Sequence, residues 1–237
     1  MPKLKKYNTL CTICARKGST GVKNKALRII NRKPLIYYTI NQAIKSKLFD
    51  KIVVSTDSKI IQNISTKYGA ESWFLRKKKL SSKFSPKKLT LIDLLKKSEE
   101  KFEKKFEIIV DLDLSSPLRT KDDLRLSLKK FIKNNNDILI SVNNCRKNPY
   151  FNMVEFRHKK LSIVKKKNYK FFSRQLAPKV YEMNSSIHIR KRSILMNNKT
   201  LNMKFSKKSG IYIMPKERSI DIDSEFEFNL FKKRINK

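Results

Sequence analysis

The stretch Thr12-Ile-Cys-Ala-Arg-Lys-Gly-Ser-Thr-Gly-Val-Lys-Asn-Lys25 decides the reading of this chain. An apolar run, Leu10 to Ala15, ends in a loop that holds Arg16, Gly18, Ser19, Gly21, Lys23 and Lys25. The whole chain of 237 residues has 4 glycines, where ordinary usage would give roughly sixteen. Two of the four fall in this loop. Lacking a Cβ, glycine lets backbone N–H groups turn toward a ligand. Several such groups ringed by lysine and arginine make an anion cradle. A strand feeding such a loop points to a nucleotide-phosphate site at the carboxyl end of a sheet strand. The competing reading is an ordinary βα turn on a very basic surface. Neither a Walker A loop nor a dinucleotide fingerprint is present.

The chain is long enough for one α/β domain with a substantial core. Its 39% hydrophobic and 10% aromatic content fit a folded protein. No apolar run approaches the roughly 18 residues that span a membrane, and the basic start, Met1 to Tyr7, lacks a following signal-peptide core. A cytoplasmic protein is expected. Cys11, Cys14 and Cys145 are odd in number and lack framework spacing, which argues against a disulfide scaffold. On a strand Cys11 and Cys14 face opposite sides, so they read as strand cysteines rather than a metal clamp. The net charge of +37 invites a nucleic-acid reading. Its lysines are spread along the whole chain, however, and not gathered in one stripe with aromatic stacking partners. Non-specific binding to polyanions at low salt is what this charge implies.

Strand and helix patterns alternate. Strands are expected at Asn8–Ala15, Lys51–Ser55, Glu71–Leu75, Glu107–Leu112 and Asp137–Asn143. Helices are expected over Pro34–Lys47 with Pro34 in the first turn, from an Asp57 N-cap, and over Lys87–Phe102 and Asp122–Lys133. This is a βαβ rhythm around a mostly parallel sheet. After Cys145 the rhythm changes. Strand-like stretches at Pro149–Glu155, Leu161–Val164 and Met183–Ile189 suggest a β-rich excursion over about 146–190, before a return through Lys208–Met214 and a final helix from Ser224 to Ile235. The lysine runs at 77–79, 101–105 and 165–167 read as solvated faces or turns.

Two acidic segments carry further chemistry. In Val110-Asp-Leu-Asp-Leu-Ser-Ser-Pro-Leu-Arg119, Asp111 and Asp113 fall on one face of a strand. Two such carboxylates are costly unless a cation or donor offsets them. Asp113, at the carboxyl end, is placed to reach a metal or nucleotide, or to accept loop N–H groups. Pro117 and Arg119 shape the turn, with Arg119 placed to hold a phosphate or a loop carboxylate. In Ser219-Ile-Asp-Ile-Asp-Ser-Glu225, Asp221 and Asp223 share a face if the segment is extended, and Asp223 also suits a helix cap. Such a pair suits a hard cation such as Mg²⁺. A basic loop for a triphosphate and a distant aspartate pair for Mg²⁺ are together what nucleotidyl transfer requires.

The stretch ARKGSTGVKNK resembles the opening motif of the acylneuraminate cytidylyltransferase family, which makes CMP-activated nonulosonic acids. LFDKIVVSTD (Leu48–Asp57), SSPLRT (Ser115–Thr120) and SIDIDSE (Ser219–Glu225) follow in the family's order, and RQLAPKVYEMNSSI (Arg174–Ile187) resembles its sugar-site segment. The forms VDLDLSSPLR and NPYFNMVE look closer to the branches acting on legionaminic- or pseudaminic-type sugars. The resemblance implies a Rossmann-like, GT-A-like nucleotidyltransferase fold in a single domain over 1–237, with the 146–190 insertion serving a homodimer and the neighbour's sugar site. It implies that Arg16, Gly18, Ser19 and Lys25 handle CTP phosphates and that Arg76, Asp113 and Ser115 lie at the nucleotide. Arg16, Lys25 and Asp113 are the expected catalytic residues. Asp221 and Asp223 match the Mg²⁺ aspartates, and Arg174, Gln175, Tyr181 and Asn184 match the acceptor-sugar region. As a loop residue, Lys25 is expected to matter for turnover far more than for folding. The chain departs from the family's usual residues at Ala26, Lys83 and His188. Other sugar acids such as Kdo, other nucleotides, and a non-enzymatic nucleic-acid-binding role are the rival readings.

Overall fold

A computed structural model describes residues 6–165, 171–197 and 205–235. The elements run β1 (Thr9–Ala15), the short β2 (Ile29–Ile30) and β3 (Lys33–Pro34), α1 (Leu35–Ser46), β4 (Lys51–Thr56), α2 (Lys59–Lys67), α3 (Lys78–Ser81), α4 (Lys87–Lys101), β5 (Ile108–Leu112) and α5 (Lys121–Lys133). They continue through β6 (Ile138–Asn144), β7 (Val154–Arg157), β8 (Lys160–Ile163), β9 (Tyr181–Lys191), α6 (Arg192–Met196), β10 (Ser209–Ile213) and α7 (Glu225–Ile235).

β1 is buried on both faces. Cys11 and Ile13 join one core cluster and Leu10 the other, as an inner parallel strand requires. The six-stranded sheet has the order β10-β6-β9-β5-β1-β4. β1 pairs in parallel with β4 and β5, and β10 with β6. β9 alone runs antiparallel, between β5 and β6. Helices α1, α2, α5 and α7 cover one face through residues such as Ile36, Ile61, Leu128 and Phe231. Helices α4 and α6 cover the other through Leu91, Leu94 and Leu195. The result is a three-layer, mostly parallel α/β fold.

The structure corrects several expected elements. Pro34 precedes α1 as its N-cap. Ser58, not Asp57, caps α2, its hydroxyl accepting the Ile61 N–H. Residues 71–75 form no strand but meet β4 through isolated bridges at Glu71 and Leu75 and the Ser72 hydroxyl, which donates to the Val54 carbonyl, because Trp73 and Phe74 turn into the cluster with Phe102. The β-rich excursion is shorter than 146–190. β9 belongs to the central sheet, with Ile187 and Ile189 fully buried in the main core, so among the described strands of that stretch β7 and β8 stand outside it as a hairpin. The lysine runs at 77–79 and 101–105 are largely exposed, while 166 and 167 lie outside the described residues.

Two further contacts aim the carboxyl-terminal segment at the sheet. Asp123 closes a capping box with Thr120 at the start of α5. The same carboxylate takes the Arg218 guanidinium in two hydrogen bonds of 2.8 and 3.0 Å and the Tyr212 hydroxyl, fixing the turn that leads into residues 219–225. Ile222, fully buried, then donates its N–H to the Ser115 carbonyl at 2.8 Å.

Candidate active site

The carboxyl end of β1 delivers the basic loop. Ser19 folds it back on itself: its hydroxyl donates to the Val22 carbonyl and accepts the Lys25 N–H at 3.0 Å. Lys17 N–H donates to Asp57 Oδ1 at 2.8 Å, so Asp57 anchors the loop in place of capping α2. A Cβ on Gly21 would sit 1.8 Å from the Asp223 carbonyl oxygen, whereas one on Gly18 would meet nothing. The glycines thus do different work. Gly21 allows two backbones to touch, and Gly18 leaves open space.

Lys25 crosses that junction. Its ammonium donates to Ser115 Oγ at 2.8 Å, to Asp223 Oδ1 at 2.9 Å and to the Ile222 carbonyl, and its side chain is only 12% exposed. The expectation of a lysine free of folding duties is therefore corrected: Lys25 staples three segments together. A cleft of about 180 Å³ opens here, lined by Arg16, Ser19, Gly21, Lys25, Asp113, Ser115 and Asp223. Arg16 makes no hydrogen bond or ion pair with a described residue, so its guanidinium is free to meet an anion. Ala26, one of the departures from the family's usual residues, is buried against the core.

Asp111 and Asp113 do share a face, and the offsetting cation is Lys87. Its Nζ lies 2.8 Å from Asp111 Oδ2 and 3.2 Å from Asp113 Oδ2. Thr12 Oγ1 donates to the other Asp111 oxygen and Ser115 N–H to the other Asp113 oxygen, each at 3.0 Å. Burial opposes ionisation of Asp113, but Lys87 and the Ser115 N–H overcome it and hold the carboxyl well below the usual carboxylate range. Burial likewise opposes the Lys87 charge, and the two carboxylates hold it above the ordinary lysine value. Asp221 behaves oppositely. Burial and the charges of Asp113 and Asp223 push it up to about 7. Asp223 is not the cap of α7: the Ser224 hydroxyl accepts the Glu227 N–H, and the Glu227 carboxylate accepts from Ser224 and from Asp223 N–H. Cys14 lines the cleft, but burial pushes its thiol up to about 12, so it is a neutral wall and not a nucleophile.

Other expected site residues lie elsewhere. Arg76 is buried, donates to the Ser55 carbonyl at 3.0 Å and keeps an unpartnered Nε. Arg119 makes no ion pair with a described carboxylate. Fully buried, it donates to the carbonyls of Asp113 and Ser186, pinning the loop after β5 to β9. Asn184 is also turned inward. Its amide accepts from Ser141 Oγ at 2.6 Å and donates to Ser219 Oγ at 3.0 Å, at the register shift between β6 and β9. Arg174 and Gln175 are exposed in a turn outside the cleft, and Tyr181 is half-buried at the start of β9. His188 is largely buried beside Arg190, and Lys83 is exposed over Phe84. Lys87 had no signal of its own in a lysine-rich stretch. Only the need to offset Asp111 and Asp113 called for such a cation.

A model of the family described as "Cytidylyltransferase" matches residues 10–232. The chain is 46% identical to CMP-N,N'-diacetyllegionaminic acid synthase of Campylobacter jejuni, over 93% of this chain and 92% of that protein. It is 45% identical, with the same coverage, to post-translational flagellin modification protein B of Campylobacter coli. It is 30% identical to N-acylneuraminate cytidylyltransferase of Streptococcus agalactiae, over 92% of this chain and 51% of that one. Among solved structures, CMP:2-keto-3-deoxy-manno-octonic acid synthetase complexed with CTP superposes with a TM-score of 0.69 at 13% identity, covering 97% of this chain and 98% of that one. That last likeness concerns the fold alone. With its β1 loop and its 219–225 segment both inside the matched span, the chain belongs to the cytidylyltransferase family.

Proposed function

We propose that this enzyme transfers CMP from CTP to a nonulosonic acid of the legionaminic type, releasing pyrophosphate. The observation that carries the reading is the junction at Lys25, where the basic loop, the loop after β5 and the 219–225 segment meet around one cleft. The sugar class follows the Campylobacter jejuni relative, at 46% identity, against 26% for the pseudaminic acid cytidylyltransferase.

In this reading Arg16 and the open space at Gly18 receive the triphosphate, and Lys25 fixes the wall against which it lies. Asp113 is held ionised, so it orients a ligand donor and is too weak a base to take a proton near neutral pH. The sugar's anomeric hydroxyl attacks the α-phosphorus and gives up its proton to solvent, and the bond from that phosphorus to the bridging oxygen breaks as pyrophosphate leaves. Charge that builds on the leaving group is met by Arg16 and the loop.

The donor set fits a hard divalent cation. Like charges crowd Asp221, and carboxylate oxygens suit Mg²⁺, which is held by one or two carboxylates plus phosphates. Among the described residues no cluster of three or more ligands could hold a metal alone, in keeping with a site completed by substrate. Asp221 and Asp223 would hold the ion, and when bound it would polarise the phosphates and neutralise their charge.

Arg174 and Gln175, outside the cleft, would complete the sugar site of a second copy, the Arg174 guanidinium meeting the acid's carboxylate. The exposed Val154 and Phe156 of β7 and Leu161 of β8 support a homodimer through this hairpin. No helix among the described residues is long and apolar enough to cross a membrane, and a cytoplasmic reaction fits the use of CTP.

Pyrophosphate release, measured with each nucleoside triphosphate against N,N'-diacetyllegionaminic, N-acetylneuraminic, pseudaminic and Kdo acids, tests the proposal. CTP with the legionaminic acid should give the highest kcat/KM, with dependence on added Mg²⁺. A preference for Kdo or for another nucleotide would overturn it.

A further inference from the structure

We propose that Lys87 is a positioning residue for this transfer, its ammonium holding the Asp113 carboxylate in place at the wall of the cleft. The inference rests on the transferase reading above.

Asp111 is 2% exposed on an inner strand, and an unpaired charge there would be strongly destabilising. Thr12 satisfies one of its oxygens, and Lys87, from the first residue of α4, satisfies the other. The same ammonium reaches forward to Asp113 Oδ2 at 3.2 Å. Asp113 is then held from two directions, by Lys87 on one oxygen and by Ser115 N–H on the other. Ser115 in turn accepts Lys25 Nζ, so the network runs from the sheet interior, through Lys87 and Asp113, to the staple at Asp223. The Lys87 side chain is 43% exposed and sits where the sheet meets the cleft. Two roles are thereby separable: Asp111 is the rear anchor that fixes Lys87, and Asp113 is the group that Lys87 aims. Without the ammonium, two carboxylates on one face repel, and Asp113 can leave the cleft geometry. A displacement of about 1 Å costs roughly 100-fold in rate.

The test measures kcat and KM for CTP and for the sugar acid, together with thermal melting. Lys87→Met should lower both the melting temperature and kcat, the latter roughly 100-fold, with KM for the acid changed little. Lys87→Arg, which keeps the charge, should recover most of the turnover. Lys87→Met/Asp111→Asn removes the buried unpaired charge, so it should melt close to wild type and still turn over slowly. Full turnover in that double variant would overturn the inference, because Lys87 would then serve only to neutralise Asp111. As a second route, Lys87→Met made in an Asp113→Asn background should cost little further kcat. Additive losses would also overturn it. If the unaltered chain releases no pyrophosphate from CTP with any acid, the transferase reading itself fails and this inference falls with it. An active wild type with a rescued double variant sinks the Lys87 role alone.

Discussion

Gly21 brings two backbones together where any other residue would force them apart. Its virtual Cβ lies 1.8 Å from a main-chain oxygen, which cannot swing aside as a side chain would. Gly21→Ala should therefore lower stability, by about 1–3 kcal/mol on the scale of overpacked sites, and should reduce turnover by moving the loop off Asp223. Gly18→Ala meets no atom, so its melting temperature should match wild type. If it loses activity, the loss reports a ligand packed against that position. A Gly21→Ala protein that melts like wild type would mean the loop relaxes freely and is not held at Asp223. Lys25→Ala should now cost both stability and turnover, because it removes a donor from Ser115, Ile222 and Asp223 at once. The buried acceptors at Ser115 and Ile222, left without a donor, cost about 1–3 kcal/mol each, while the exposed Asp223 carboxylate turns to water, so a melting temperature equal to wild type would contradict the staple. The sequence marked both residues as important, since glycine is rare here and the loop is basic. It could not show what they touch, because Asp223 lies 198 positions from Lys25. Lys87 was invisible for a related reason: among so many lysines, only the position of a paired carboxylate distinguishes one.

At the scale of elements, alternating periodicity located most of the sheet and its helices, because burial on a strand or helix face imposes a period the sequence must carry. Boundaries failed where a local contact outweighed pattern. Asp57 looked like a cap but binds the Lys17 N–H, leaving Ser58 to cap α2. β9 read as part of an excursion because the strand–helix alternation stops after Cys145, yet its buried Ile187 and Ile189 insert it antiparallel into the sheet. That insertion also creates a pH dependence. His188 stands opposite Asp111 in the β5–β9 register, and burial, with Arg190 and Lys87 adding to it against Asp111, pulls its imidazole down to about 4. The unfolded chain protonates histidine near pH 6.5. Between about pH 6.5 and 4 the unfolded state therefore binds the extra proton, and this group's contribution to stability falls as pH falls. His188→Gln should flatten the fall in melting temperature across that window, relative to wild type. Parallel curves for the two proteins would show that His188 is not its source.

For the whole molecule, the dominant quantity is charge. A net +37 over 237 residues makes a polyanion the first partner such a protein meets, and the sequence alone left an enzyme and a nucleic-acid binder as rivals. The fold separates them by where the charge is organised. At the cleft, Lys25 and Lys87 are matched with Asp223, Asp113 and hydrogen-bond acceptors and Arg16 is left open to an anion, whereas the lysines of 77–79 lie exposed with no such order. Binding built on unordered surface charge releases counterions in proportion to the phosphates it covers, so it weakens steeply with salt. Contacts made inside a cleft are screened much less. Raising NaCl from 50 to 200 mM should therefore release the protein from a random DNA duplex with a steep log–log slope, by ~10³-fold or more if six or more phosphates are covered. The kcat at saturating CTP should change only a few-fold over the same range, and kcat/KM should fall modestly as long-range steering of the triphosphate is screened. At low salt, DNA should act as an inhibitor that dilution into higher salt relieves. Duplex binding that survives 200 mM NaCl and discriminates between sequences would mean that the surface lysines form a second, specific site, and that the charge is not merely the background on which a cytidylyltransferase cleft is built.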